Sequence, residues 1–121
     1  MTISEAITRL DLQKQNTCTR QEKLNWLSEL DGLIKAQILD AYENPPAVLL
    51  PYGDSPAEDA VLLAKPPYDS MYLWYLEAKI DYQNGEINRF NNAMELFQAC
   101  FREYAAQYHR DHRIPGGTRF H

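Results

Sequence analysis

All three histidines fall within the last thirteen residues, and histidine is the side chain that titrates nearest neutral pH. His109 and His112 stand three apart with Asp111 between them, a spacing at which two imidazoles on a helix can share a metal ion. Asp111 points to another side of such a helix, and no third ligand stands at a recognisable distance. Histidines and arginines in a last helical turn complement the macrodipole and satisfy terminal carbonyls, and that reading fits these residues better than a metal site. Cys18 sits in a polar linker and Cys100 beside an apolar stripe. There is no CxxC pair and no Cys/His arrangement for a nucleophile, so Cys100 reads as a small buried hydrophobe. Glu29 and Asp31, or Glu77, Asp81 and Glu86, are candidate carboxylate pairs. General acid–base work needs a pocket that shifts one pKa, and these sites read as solvated helix faces. The chain lacks a P-loop, GxGxxG, HExxH or GxSxG. The expectation is a protein without a catalytic centre, a cofactor or a metal.

The elements that hold these residues are helical. Thr2-x-x-Glu5 is a capping box, and Ile3, Ile7 and Leu10 follow at helical spacing, predicting a first helix from Thr2 to about Lys14. Thr19-x-x-Glu22 is a second box. Behind it Leu24, Leu27, Leu30, Ile34, Ile38 and Ala41 recur at intervals of 3, 3, 4, 4 and 3, predicting a helix over 20–42 with Trp26 and Leu33 widening its apolar face. Gly32 inside it is expected to mark close packing or a bend. A third helix is expected from Tyr68–Ser70 to Asn84, on the stripe Leu73, Leu76 and Ile80, with Tyr72, Tyr75 and Tyr82 to one side and Gly85 as a left-handed stop. The fourth has the cleanest repeat: Phe90, Met94, Phe97, Phe101, Tyr104 and Tyr108, alternating 4 and 3. That pattern predicts a long helix over 87–110 laid along another helix, its stripe forming intramolecular core.

Between the second and third helices, residues 43–67 hold six of the seven prolines, which excludes a continuous helix. Ser55-Pro56-Ala57-Glu58 predicts a short helical piece over 56–63, and 47–50 reads as a brief extended segment. The apolar residues here, Val48, Leu49, Leu50, Val61, Leu62 and Leu63, must pack against something. Pro115-Gly116-Gly117 ends regular structure, leaving a basic tail. The fold class is therefore all-α: a small four-helix domain with a Pro-rich mid-chain loop and an extended C-terminal arm.

Composition agrees with this and narrows the function. At 121 residues the chain is long enough for one core and too short for two. Its 12 basic residues against 17 acidic ones give a net charge of −5, which argues against a body that grips nucleic acid. The longest apolar runs, 47–50 and 60–64, are far too short to span a bilayer. The opening Met1-Thr-Ile-Ser-Glu carries no secretory pattern, and with two cysteines a reduced intracellular protein is expected. Eight tyrosines beside four phenylalanines and two tryptophans weight the aromatic surface toward contacts that are apolar on one side and wet on the other.

Several stretches together carry a resemblance. They are Lys23-Leu24-x-Trp26-Leu27-x-Glu29-Leu30-Asp31-Gly32, Pro67-Tyr68-Asp69, Tyr72-Leu-x-Tyr75-Leu76-Glu77-Ala78-x-Ile80-Asp81-Tyr82-x-Asn84-Gly85-Glu86, and Phe90-Asn91-Asn92-x-Met94. The combination resembles the head–tail connector (adaptor) proteins of tailed bacteriophages and prophages of Gram-positive bacteria, over residues 20–113. The Pro-rich segment and the last eight residues match nothing in that pattern.

The resemblance implies a virion structural protein, made in the host cytoplasm and placed at the neck. About twelve copies would form a ring below the portal protein, extend the DNA channel without binding the DNA specifically, and receive the next neck or tail-completion protein. Residues 1–113 would be the connector domain and 114–121 an arm reaching the portal. The residues expected at protein interfaces are Arg110, His112, Arg113, Arg119 and Phe120 of the arm region, with Tyr52 from the loop and Tyr72 and Tyr75 from the third helix. Heterologous ring contacts need two different faces on each subunit, and the stripe of the second helix, the tyrosine-rich side of the third and the apolar mid-chain loop are expected to offer them. An acidic body also suits a channel that passes DNA, since carboxylates repel phosphates. The rival reading is a cytoplasmic helical regulator that binds one protein partner.

Overall fold

A computed structural model describes residues 1–42, 52 and 60–112. Four α-helices dominate: α1 (Ile3–Gln13), α2 (Arg20–Gln37), α3 (Ser70–Gln83) and α4 (Ile87–Asp111), with a 3-10 turn over Leu39–Ala41. The fold is all-α, as the sequence predicts. Both capping boxes form: the Thr2 and Thr19 hydroxyls each accept the backbone N–H three residues on, at 3.1 Å, while Glu5 and Glu22 accept the cap N–H at 3.0 Å.

α2 ends five residues before its predicted stop at Tyr42. Ile38 and Leu39 are both buried, and there the backbone tightens into the 3-10 turn, closed by the Tyr42 N–H donating to the Leu39 carbonyl at 3.2 Å. Gly32 marks no close packing, since a Cβ there would meet no heavy atom of the described residues within 4 Å.

The other stop is well formed. Gly85 takes φ +72°, its N–H donates to the Tyr82 carbonyl, and the Glu86 N–H reaches back to the Asp81 carbonyl at 2.9 Å. This pair of bonds is a Schellman motif, and it sends α4 back along α3.

α3 is the central element. It packs against α1, α2 and α4, and its buried residues run around most of its circumference: Met71, Tyr72, Leu73, Tyr75, Leu76 and Ile80. α4 packs on α3 alone among the described helices. Of its heptad stripe, Phe97 and Tyr104 are core, whereas Phe90, Met94, Phe101 and Tyr108 are only half-buried. The expectation of an intramolecular core therefore holds for part of the stripe.

The helical piece predicted over 56–63 is absent from its described part. Residues 60–62 are extended, with Val61 forming an isolated antiparallel bridge to Thr2. The Ile3 N–H donates to the Ala60 carbonyl at 2.9 Å, and the Leu62 N–H to the Met1 carbonyl at 3.0 Å. Leu62 and Ala64 are fully buried, so this end of the Pro-rich connection packs into its own domain. Residues 56–59 and the extended segment expected over 47–50 lie outside the described residues.

Candidate functional site

The polar centre of the molecule is Asp31, which the sequence pattern had placed on a solvated face. It is fully buried on α2, at a register shared with Leu24, Leu27 and Ile38. The Tyr72 hydroxyl donates to its Oδ1 at 2.6 Å, the Tyr52 hydroxyl donates to Oδ2, and the Leu63 N–H approaches Oδ2 at 3.3 Å. Burial pushes the Asp31 carboxyl above its ordinary value against the opposing pull of these donors. Burial likewise drives the Tyr52 and Tyr72 hydroxyls upward, reinforced by the adjacent carboxylate, so both stay protonated as donors. Tyr72 also accepts the Ala64 N–H at 2.8 Å, and the Tyr52 N–H donates to Ser28 Oγ at 2.8 Å. One side chain thus ties α2, α3 and two points of the Pro-rich connection.

Three of the expected interface residues are therefore accounted for differently. Tyr72 has no exposed surface, so it belongs to the core and cannot present a face to another protein. Tyr75 is buried too, with its ring 5.1 Å from that of Phe97 and its hydroxyl donating to Glu29 on α2. Glu29 is held below the ordinary carboxylate range by that hydroxyl, and Lys79 stands 2.9 Å from it. Tyr52 is half-buried and directed at Asp31. The tyrosine of α3 that does face solvent is Tyr82, 65% exposed.

A second assembly lies at the far end of α4. A groove of about 650 Å³ runs between the segment 61–68 and the last two turns of that helix. Leu39, Leu62, Pro66, Pro67 and Tyr68 line it from before α3, and Tyr104, Tyr108 and His112 from the end of α4. The His112 ring stacks on Tyr108 at 3.8 Å and 10°, and Tyr42 leans on both rings. Tyr104 is pushed up to about 12, first by burial and then by the neighbouring Tyr108. Lys65, Gln107 and Asp111 supply the polar lining.

His112 Nδ1 lies 2.9 Å from the Tyr108 carbonyl, which is the terminal-carbonyl role expected of it. The Tyr42 hydroxyl and His109 Nδ1 are hydrogen-bond partners. Among the described residues no group of three or more His, Cys, Asp or Glu side chains could hold a metal ion. Arg110 is exposed and donates to Gln107 at 2.6 Å. Arg113, Arg119 and Phe120 lie outside the described residues.

Cys100 is half-buried and donates to the Tyr68 carbonyl at 3.4 Å, and Cys18 to Gln83 at 3.4 Å. Burial pushes the Cys18 thiol above its ordinary value, away from thiolate chemistry. No helix described is long and apolar enough to cross a membrane.

No family model, no curated protein and no solved structure matches the chain.

Proposed function

We propose that this chain is a structural, protein-binding module of the head–tail connector type, assembling as a ring of about twelve copies on a portal protein. The observation that carries the reading is the unfinished packing of α4. Once α3 has covered Phe97 and Tyr104, the same helix still offers Phe90, Met94 and Phe101 partly to solvent, with Ile87 and Leu96 at 55% and 40% exposure. Apolar and aromatic surface of this kind is what protein interfaces bury at their centres. The groove at the other end of α4, beside His112, supplies a second face different from the first, as a heterologous contact requires. On this reading the protein sits at the neck of a virion, and residues 114–121 reach the portal.

Native mass spectrometry of the chain, with and without portal protein, tests the proposal. The expected result is a ring on the portal and no stable ring without it. Deleting 114–121 should then abolish portal binding while leaving the helical spectrum unchanged. A stable dimer under both conditions would replace this reading with that of a helical regulator.

A further inference from the structure

We propose that the groove beside the end of α4 receives an arginine-bearing apolar segment of a protein partner, with the guanidinium on Asp111 and an apolar side chain against Tyr104. The inference rests on the protein-binding reading above and deepens it by naming what the partner must carry.

The two ends of the groove differ in chemistry. At one, Tyr104 is buried and Tyr68 stands 5.8 Å from it with the rings tilted by 55°, so neither ring covers the face of the other. Leu39 and Leu62 line the same space, which suits an apolar side chain. At the other end stands Asp111, which is exposed and forms no ion pair among the described residues. Its Oδ1 accepts only the neutral amide of Gln107, at 2.8 Å. This carboxylate also closes a helix of 25 residues, where the backbone dipole adds negative potential. Both effects favour a cation. Lys65 lines the groove from the segment before α3. A guest is therefore oriented, its cation toward α4 and its carbonyl or acidic groups toward Lys65.

Arginine matches this site better than lysine. Its planar fork bonds a carboxylate through two N–H groups, lies against aromatic rings and gives up its hydration more readily than an ammonium. Tyr108 stands three residues before Asp111, so the two are neighbours on the helix surface, and the His112 ring is stacked on Tyr108. A guanidinium held by Asp111 thus lies beside an aromatic pair. From Asp111 back to Tyr104 the helix runs ~10 Å. Three residues of extended chain cover the same ~10 Å, so a guest of pattern apolar-x-x-Arg reaches both ends.

The test is an NMR titration of the full chain with the peptide acetyl-Leu-Gly-Gly-Arg-amide. Saturable shifts are expected at residues 104, 107, 108 and 111. The same peptide with citrulline in place of arginine keeps the shape, removes the charge and should bind about tenfold more weakly. Asp111→Asn, on an exposed residue, should abolish that difference while the core methyl resonances stay in place. Equal binding of the two peptides would overturn the proposal, leaving an apolar groove with no preference for a cation. A preference that survives Asp111→Asn would overturn it too, as would shifts that do not saturate or that fall outside the groove. Ring formation on portal is read separately by native mass spectrometry, so this inference and the connector reading fail in different experiments.

Discussion

The Tyr72 hydroxyl donates to Asp31 Oδ1 across 2.6 Å in an interior where neither side chain meets solvent. This contact joins the central helix to α2. Because Tyr72 also accepts the Ala64 N–H, it fixes the returning end of the Pro-rich connection as well.

Tyr72→Phe keeps the ring and removes the hydroxyl. Asp31 loses a donor and the buried Ala64 N–H loses its acceptor. A hydrogen bond to a charged buried group contributes about 1.5–3 kcal/mol, and a loss of that size is expected in urea denaturation. Tyr75→Phe is the control. Its partner Glu29 has a half-exposed side chain, so the loss there should stay below about 1 kcal/mol.

Asp31 also sets a pH dependence. Its folded pKa lies above the unfolded value, so the folded state binds the proton more readily. The contribution is therefore fully present below the unfolded pKa and is lost as pH rises through the folded one. Tyr52, Tyr72 and the Leu63 N–H face the carboxylate, and Tyr104 senses its charge; no cation faces it among the described residues. Relative to Asp31→Asn, the parent chain should gain stability as pH falls from 7 toward 4. Glu29 and Asp11 have lowered values and lose stability in acid in both proteins, so the difference between paired urea melts isolates residue 31.

The local signals in the chain were sufficient for most of the helices. Thr2 and Thr19 with their glutamates fix two starts through bonds three residues long, and Gly85 fixes a stop through its own backbone. Asp31 was misread because a carboxylate between Leu30 and Gly32 looks solvated. Its register said otherwise: it stands seven residues after Leu24 and four after Leu27, within the buried stripe. What the sequence could not supply was the partner, since Tyr52 and Tyr72 lie 21 and 41 residues away. Tyr72 was misassigned to a surface for the complementary reason. α3 is covered on several sides, and a helix buried almost all round has no outward face for the pattern to reveal. The groove was illegible because it joins residues 61–68 to 104–112 across the fold.

The split of the α4 stripe makes a paired expectation. Phe97 is buried, with ring contacts to Tyr75 and Phe101, so Phe97→Ala should cost about 3–5 kcal/mol in a thermal or chemical melt. Phe90 is half-exposed and meets only Tyr82 at 5.5 Å among the described aromatic rings. Phe90→Ala should melt close to the parent and instead weaken assembly, measured as ring occupancy on portal. Equal melting losses for both would mean that the whole stripe is core and that the exposed seam has no separate role.

Lys14 and Asp81 supply the last expectation. Lys14 follows α1, Asp81 closes the buried part of α3, and Lys14 Nζ lies 2.6 Å from Asp81 Oδ1. At that distance the ammonium compensates a carboxylate on a residue only 2% exposed. Glu77, one turn earlier, is pushed above its ordinary value by burial, while Lys14 pulls it down and Asp81 pushes it up, so one cation serves two carboxylates. Removing the cation alone leaves a buried charge uncompensated, and Lys14→Met should cost about 3 kcal/mol. Replacing both members, Lys14→Met with Asp81→Leu, removes the charge that needed compensation and should restore most of the loss. Urea melts of the two single variants and the double variant close this cycle. Additive losses would show that the pair is uncoupled and that each side chain acts through its own packing.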